Sequence, residues 1–493
     1  MNKKLIALFL ALLMASPLLA SCGDDKPSSG SKETKPTTET GASGEFAEID
    51  KYVNELAASS GSYNGKTFNI LTRESEYPAN DEVTGDLQQD ALYNRNRKIE
   101  EVFDVKIDKL IVTGEGYPDG STGYEMAEKL RLDTLSTTGD YDLCIGNISN
   151  GGSTMLTQGS IRPIDETTIF NFDKSWWLND LQNQFSVGGR SYFLSGKLVT
   201  SHYMDASAVI FNKGVASQYN ISADELYDTV KNGEWTIDKM NELASVVPTN
   251  GDIWRYYARQ GLNLYMSGGN MVSNKDADDM PIIPSALTDD QMTFINKISG
   301  FLSDKTQNIF LDGKAIEEGP ESKYTAEDAF ADNKFLFWLD TMGKPIDLLE
   351  KEVEFGIIPM PKKDDTQTDY IAFSNGQNTT AAFIPKAVKD EEMTAYITEA
   401  MAALSEKYLE PAYYDKVLKG RASESPNERR MLDLIYSSKK YDLADIYKWG
   451  ELTMTIGSSI VEGVDTLTSS YKATYRMALS ELNNTISQIQ KAE

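Results

Sequence analysis

Groups that commonly carry out catalysis are scarce in this chain of 493 residues, which has two cysteines and one histidine. Any Ser-His-Asp or Cys-His arrangement would have to use His202, and the sequence has no G-x-S-x-G motif. Zinc sites are built mainly from several cysteine and histidine ligands, which this chain has in too small a number. We therefore expect no Ser-His or Cys-His catalytic pair and no metal site. Paired carboxylates could support glycoside hydrolysis, but the sequence does not constrain such a pair among 75 aspartates and glutamates.

The chain also lacks an apolar run of the ~20 residues that a membrane-spanning helix needs. The run Leu5–Met14 is shorter, follows two lysines and precedes small residues, which is the pattern of a signal peptide. The sequence LASC, which ends at Cys22, resembles the bacterial lipobox and implies lipidation of the Cys22 thiol; a secreted protein with a chance cysteine is the alternative. We predict a signal peptide at 1–21 and a mature protein that is anchored to the membrane without spanning it.

Basic residues are outnumbered, with 48 lysines and arginines against 75 aspartates and glutamates, so the net charge is −27. Removal of the two lysines near the N-terminus would make it −29. Such a surface repels nucleic acid phosphates and anionic lipid headgroups. We therefore expect neither to be a partner of the folded part.

Apolar residues are nearly missing from Gly23 to about Gly44, a composition that does not form a buried core. For residues 22–60 we predict a lipidated cysteine, a disordered tether and a short helix around Phe46–Ala58. Cys144 lies instead in the apolar segment YDLCIGN, where a cysteine is commonly a small buried hydrophobic residue.

Strand-like and helix-like segments alternate after the tether. The apolar patterns predict strands at 66–72, 105–112 and 141–147, with helices at 90–103 and 125–136 between them. This order favours a parallel sheet whose ligands bind beyond the carboxyl ends of the strands. Arg95 and Arg97 lie on the first of these helices, where charged side chains are usually solvated.

The second half predicts further strands at 206–213, 335–340 and 355–361, a helix at 236–247 with Thr236 as its N-cap, and a capping box at Thr325. Residues 271–284 are polar and irregular, and we expect a surface loop there. The C-terminal third is mostly helical. Its last helix has an apolar stripe at 3–4 spacing, formed by Tyr471, Tyr475, Leu479, Leu482, Ile486 and Ile489.

Two motifs resemble cofactor or metal loops without matching them. The segment at 61–67, GSYNGKT, is one residue short of a phosphate-binding loop and precedes a strand. The segment at 274–280, NKDADDM, lacks the glycine and the distant glutamate of a calcium loop. We expect no cofactor.

Tryptophans at expected loop positions are more informative. Apolar sugar faces stack on aromatic rings, while carboxylates and amides bond the hydroxyl groups, so a neutral polyol suits a cleft of this composition. Trp176, Trp177 and Trp254 are candidates, although core packing is the alternative for each of them.

The order of these segments resembles the bacterial extracellular solute-binding proteins of family 1, the receptors of sugar-type ABC importers. The resemblance spans most of the mature chain and is carried by GKTFNILT, ALYNRNRKIEEVFDVKI, GDYDLCIGN, GSIRPID, GGRSYFLSG, ASAVIFNK, NGEWTIDKMNELA, DNKFLFWLDTMG and FGIIPMPK. Ser195 stands where the family usually has proline, and Phe211 where it usually has tyrosine.

The resemblance implies an α/β fold of two Rossmann-like lobes, the type II periplasmic-binding-protein fold, with a helix-rich C-terminal part. It places residues 61–206 and 342–388 in lobe I, and residues 207–341 and 389–493 in lobe II. We expect hinge crossings near 204–208, near 339–343 and around 385–390. Ligand would be held between the lobes, and no catalytic residue is needed.

By position, nine residues are ligand-binding candidates. First-lobe candidates follow predicted strands or are aromatic, and the others lie before the hinge strand, in the second lobe or just beyond later strands. They are Glu74, Glu76, Asn147, Trp177, Asp205, Trp254, Tyr257, Asp340 and Asn375.

The resulting hypothesis is a monomeric receptor that binds a mono- or oligosaccharide and delivers it to ABC permease subunits. Lipid on Cys22 would hold it at the extracellular face of a membrane, at a Gram-positive surface rather than in a periplasm. A tethered glycoside hydrolase, or a receptor for a peptide or sugar phosphate, is the alternative. An all-helical starch-binding lipoprotein does not fit the early strand–helix alternation.

Overall fold

Two four-stranded sheets organise the chain, as a computed structural model shows for residues 42–113, 122–177, 179–313, 315–316, 323–419 and 426–492. The predicted signal peptide, Cys22 and most of the predicted tether lie outside these residues. Phe46–Glu493 forms one compact unit.

The strands are β1 (Lys66–Thr72), β2 (Val105–Ile111), β3 (Leu143–Asn147), β4 (Ser207–Asn212), β5 (Trp254–Tyr257), β6 (Asn274–Lys275), β7 (Pro281–Ile282), β8 (Phe335–Thr341), β9 (Phe355–Pro359), β10 (Ala372–Phe373), β11 (Thr380–Phe383) and β12 (Lys439–Lys440).

The helices are α1 (Ala42–Ser60), α2 (Leu87–Phe103), α3 (Thr122–Ser136), α4 (Ser153–Thr157), α5 (Asn179–Phe185), α6 (Lys213–Gln218), α7 (Ala223–Lys231), α8 (Ile237–Ala244), α9 (Leu262–Ser267), α10 (Asp289–Leu302), α11 (Ala326–Ala331), α12 (Lys344–Asp347), α13 (Glu391–Lys419), α14 (Pro426–Ser437), α15 (Leu443–Ile446), α16 (Leu452–Glu462) and α17 (Leu467–Ala492).

The first sheet has the strand order β11-β3-β1-β2, and its three early strands are parallel. This confirms the parallel arrangement that the sequence predicts, because helices α2 and α3 connect these strands. Strand β11 comes from much later in the chain and runs antiparallel to β3, with Thr380 opposite Asn147. The residues just before β11 therefore lie at the carboxyl end of β3.

The second sheet has the order β5-β8-β4-β9, in which β5 and β8 are parallel and β4 is antiparallel to both of its neighbours. Three of its strands are predicted by the sequence. The fourth, β5, contains Trp254, for which we expected a loop; that expectation is wrong because Trp254 pairs with Phe335. Side chains on the faces of this sheet, such as Ile210 and Phe337, are fully buried.

Local signals at helix ends are largely confirmed. Thr236 caps α8 by accepting from the Lys239 amide at 3.2 Å, and Thr325 with Asp328 forms a capping box at α11.

The predicted apolar stripe on α17 is partly wrong, because Leu479 is exposed and Ala478 is buried in its place. The expected loop at 271–284 contains the two-stranded ribbon β6–β7.

Arg95 on α2 is fully buried, which contradicts the expectation that it is solvated. Its guanidinium donates to Ser405 Oγ and to the Leu198 carbonyl, both at 2.9 Å. Arg97 lies two residues further along α2, on the opposite side of the helix, and is exposed as expected. Helix α13 thus packs on α2 of the first sheet, although the predicted boundaries assign residues 389–493 to lobe II.

Among the described residues, three chain segments cross between the two sheets side by side. The first runs through Ala206 into β4, close to the expected crossing at 204–208, and Ala206 pairs with Ser374. The second is β10, and the third is β12, which pairs with β10 in parallel. No crossing occurs at 339–343, because β8 is followed by α12 and by β9 of the same sheet.

The C-terminal helices pack against both sheets' helices. Helix α16 lies on α9, where the Gly261 amide donates to the Gly457 carbonyl at 2.9 Å. A Cβ on Gly261 would lie 2.1 Å from Ile460, so this approach requires glycine. Helix α17 packs on α4, and one continuous apolar cluster runs through all of these helices.

A buried polar group, the crossing cluster, holds the three crossings together; it consists of Asp205, Ser374, Thr379, Lys439 and Tyr441. The Lys439 ammonium lies 2.5 Å from Asp205 Oδ1. The hydroxyl groups of Thr379 and Tyr441 each donate to Asp205 Oδ2 at 2.8 Å. Burial lowers the pKa of Lys439 although Asp205 opposes this effect. Asp205 thus bonds residues from both later crossings.

Replacement of Lys439 by methionine should strongly destabilise the protein. The change leaves the Asp205 carboxylate buried without its cation, which typically costs about 3–5 kcal/mol. The measurement is the free energy of urea unfolding. Lys440→Met, on the adjacent and partly exposed residue, is the matched control and should cost far less. Equal losses in the two variants would contradict a special role for this ion pair.

Candidate functional site

A cavity of about 740 Å³ lies where the ends of the second sheet face the first. Amide, hydroxyl and charged side chains form most of its lining, and apolar side chains form the rest. The lining residues are Gln88, Met204, Arg259, Gln260, Asn263, Phe310, Leu339, Asp340, Thr341, Gly343, Lys344, Ile346, Asp347, Gln377, Asn378, Met454 and Ser458. Phe310 supplies the one aromatic ring among these described residues.

The carboxyl ends of the parallel strands β5 and β8 supply one wall. Arg259, Gln260 and Asn263 follow β5, while Asp340 and its neighbours are the last residues of β8 and the start of α12. Parallel strands end at the same edge of a sheet, so these segments converge there. This is the position at which ligands bind in open α/β sheets.

The opposite wall comes from the first sheet, where Gln377 and Asn378 lie in the loop before β11. Asn147 at the end of β3 holds this loop, because its side-chain amide donates to the Gln377 carbonyl at 2.7 Å. The Asn147 oxygen accepts from the amides of Ser149 and Asn150 at 3.0 and 2.7 Å. Asn147 therefore orders two loops at the cavity edge.

Asp340 is held with a defined orientation. Its carboxylate accepts from the Trp338 indole at 3.0 Å and from the Thr341 amide at 2.8 Å. Burial raises the pKa of Asp340, and the Thr341 amide and the nearby Lys344 and Arg259 oppose this effect only in part. The carboxylate keeps further lone pairs with which it can accept bonds from a ligand.

Positive and negative charges are balanced along the lining. Lys344 forms ion pairs with Glu327 at 2.8 Å and with Asp347 at 3.2 Å. Arg259 interacts electrostatically with Asp340. The cations of the cavity are thus compensated by carboxylates of the protein itself, which suits a ligand without net charge.

Two of the nine candidates line a cavity. Asp340 lines the main one, and Asn375 lines a smaller chamber beside it. Glu74 is exposed in the loop after β1 and lines neither. Glu76 is buried beside Arg73, 3.1 Å away, and burial raises its pKa to about 7.

The aromatic candidates are core residues in this conformation. Trp177 is fully buried, and its indole donates to Glu399 on α13 at 2.6 Å. Trp254 donates to the Lys305 carbonyl at 3.1 Å, and Tyr257 stacks on Phe335. Their ring faces are covered by protein, so we assign these three side chains to packing.

Asp205 belongs to the crossing cluster, where its two oxygens are already bonded. The residues that sequence reasoning missed lie two to six positions beyond the chosen ones: Arg259, Gln260 and Asn263 after Tyr257, and Gln377 and Asn378 after Asn375. Ligands of open α/β sheets bind just beyond the carboxyl ends of strands. Knowledge that β5 ends at Tyr257 would therefore have identified Arg259, Gln260 and Asn263.

Within the described residues, no helix is long and apolar enough to cross a membrane, and no cluster of potential metal ligands occurs. No protein-family model matches the chain, and no curated protein matches its sequence. Solved structures, in contrast, share its fold over most of its length.

One similar structure is a cyclo/maltodextrin-binding protein complexed with maltotetraose, at a TM-score of 0.55 and 13% identity, covering 84% of this chain and 97% of that one. A second is an ABC substrate-binding protein from Listeria monocytogenes in complex with cycloalternan. Its TM-score is 0.52 and its sequence identity 10%, and the match covers 85% of this chain and 99% of that one. A third is an ABC transporter solute-binding protein from Thermotoga lettingae bound with α-D-tagatose. Its TM-score is 0.50 and its sequence identity 13%, and the match covers 86% of this chain and 100% of that one. The chain thus has the mixed α/β fold of ABC solute-binding proteins.

Asp340 should make stability depend on pH in a defined direction. Because folding raises its pKa above the ordinary value of about 4, the charged form is less favourable in the folded chain than in the unfolded chain. This penalty is absent in acid and develops as pH rises through the raised pKa. Relative to wild type, Asp340→Asn should therefore gain stability as the pH rises above about 4, in urea unfolding. The control Asp365→Asn, on an exposed loop, should show no such gain. If the difference in unfolding free energy between Asp340→Asn and wild type did not change with pH, the raised pKa of Asp340 would be contradicted.

Proposed function

We propose that this chain is the receptor of an ABC importer of the extracellular solute-binding family 1 type, and that a neutral carbohydrate occupies the 740 Å³ cavity. The observation that carries the proposal is the position of this polar cavity, at the carboxyl ends of β5 and β8 and facing the loop before β11. The fold neighbours support it, since their names describe binding proteins with maltotetraose, cycloalternan and tagatose.

The lining favours a neutral polyol over a sugar phosphate. A hydroxyl group both donates and accepts, so it suits a wall that carries both amides and a carboxylate. A phosphate requires cations in excess, whereas Lys344 is already paired with Glu327 and Asp347. Phe310 and the side chains of Met204 and Leu339 offer apolar surface for a sugar face.

Binding couples the two sheets because both walls contribute groups. A ligand that contacts Asp340 on one side and Gln377 on the other stabilises only the arrangement in which the walls are close. The three crossings are then the positions about which closure occurs. A receptor that works in this way needs no general acid or base.

A screen of thermal stability tests the proposal directly. The probes are maltotetraose, cycloalternan and D-tagatose, with glucose 6-phosphate and a tripeptide for the alternative ligands. A sugar at 100 times its dissociation constant adds about 2.7 kcal/mol of stability, which is easily measured. Release of reducing sugar from maltotetraose would favour the glycoside hydrolase instead. A response to none of the carbohydrates would refute the ligand class.

Asp340→Asn should weaken sugar binding about tenfold or more, because a hydrogen bond to a charged acceptor is replaced by a weaker one. Calorimetry with the sugar that responds in the screen measures this loss. Asp365→Asn removes the same charge away from the cavity and should bind as wild type does. Unchanged affinity in Asp340→Asn would exclude Asp340 from the site.

We further propose that lipid on Cys22 anchors the receptor at the extracellular face of the membrane, at a Gram-positive surface. The lipobox-like sequence and the polar segment after it support this. Anchoring raises the effective concentration of receptor at the permease. Cys22→Ala should therefore release a protein that binds sugar normally but supports uptake poorly, as measured by labelled-sugar import. Full uptake with released protein would contradict a role of the anchor in transport.

A further inference from the structure

A smaller chamber of about 80 Å³ adjoins the main cavity. Gln260, Gln377, Asn378 and Met454 line both spaces, so the chamber is a side pocket of the candidate sugar site. Its other walls come mainly from Asn375, from Asp445 in α15 and Thr453 in α16, and from Lys448 and Glu451 in the turn between these two helices.

The chamber walls are fixed by bonds to the first sheet. Asp445 is buried and accepts from the Gly376 amide at 2.7 Å. The Lys448 ammonium donates to Asn150 Oδ1 at 2.5 Å. A Cβ on Gly376 would lie 2.3 Å from Ser149 Oγ, so the loops are already in close contact. Asp445 and Lys448 are therefore preorganised and do not need to move when a ligand enters.

The turn that carries these groups has an uncommon backbone. Lys448, Gly450 and Glu451 have φ angles of 53°, 59° and 52°, in the left-handed region that L-residues other than glycine rarely adopt. Helix α17 holds this conformation: Glu481 accepts from the Gly450 amide at 2.7 Å, and Thr485 accepts from the Trp449 indole at 3.0 Å. Strained backbone that its surroundings enforce is concentrated at functional sites.

The size and chemistry of the chamber limit what can enter. One water occupies ~30 Å³ of liquid, so the space suits a hydroxyl or hydroxymethyl group and excludes a second sugar ring. Lys448 and the Asn378 amide can donate, while Glu451 and Asp445 can accept. A hydroxyl group can bond both the donors and the acceptors. An anionic arm would face the carboxylates of Glu451 and Asp445, and a methyl group would form no hydrogen bond with any of these groups.

We propose that this chamber receives a hydroxymethyl arm of the bound sugar, and that Glu451, beside Asp445 and Lys448, discriminates hydroxylated sugars from their deoxy counterparts. The inference rests on the proposed function, since it requires a sugar in the main cavity. It assigns a role in specificity to the C-terminal turn, which lies outside both sheets.

Calorimetry with paired sugars tests this inference. The probes are D-glucose, D-galactose and D-mannose, each against its 6-deoxy counterpart, together with maltotetraose. Wild-type protein should bind a hydroxylated parent at least about tenfold more tightly than the deoxy sugar, because the deoxy sugar loses its hydrogen bonds to the charged groups of the chamber. Glu451→Gln keeps the side-chain shape and should reduce this ratio severalfold.

Glu462→Gln is the matched control, since it makes the same change at an exposed position of α16 outside the chamber. It should leave the ratio unchanged. If sugars bind but parent and deoxy forms bind equally, or if Glu451→Gln leaves the ratio unchanged, this inference fails while the proposed function stands. If no sugar binds here and none of the carbohydrates responds in the thermal screen, the proposed function fails and the inference fails with it.

Discussion

The ion pair between Asp205 and Lys439 is the interaction on which the arrangement of the two sheets depends. It is buried where three crossings meet, and it joins a residue before β4 to one in β12. A buried charge is tolerated only when it is paired and hydrogen-bonded, as Thr379 and Tyr441 ensure here. Because the pair fixes where the crossings lie, it also fixes which strand ends face each other across the cavity.

The cavity is a consequence of topology more than of any single motif. Strands β5 and β8 end at one edge of the second sheet, and the antiparallel addition of β11 brings the loop before it to the end of β3. Asn147 then bonds the Gln377 carbonyl, so a residue of the early chain positions a loop of the late chain. Three distant parts of the sequence thus contribute to one polar space, which the C-terminal turn at 448–451 completes.

Local patterns in the sequence were sufficient for most strands, for the parallel order of β1, β2 and β3, and for the caps at Thr236 and Thr325. They were insufficient wherever burial depends on a distant partner. Arg95 is buried because Ser405 bonds it from α13, and Trp177 is covered because Glu399, 222 positions away, accepts from its indole. Asp340 and Asn375 were found by the strand-end rule. Arg259 was missed because β5 was not predicted as a strand, and Gln377 was missed because it lies further beyond the strand end than Asn375.

The packing of α16 on α9 and of α17 on α4 has a thermodynamic consequence. These helices share one apolar cluster that reaches both sheets, so separation of the sheets would expose apolar surface to water. Exposure of apolar surface costs ~25 cal/mol per Å² and carries a positive heat-capacity change. The free energy of separating the two sheets should therefore vary with temperature in a curved way, and cooling should weaken the apolar contribution to their association.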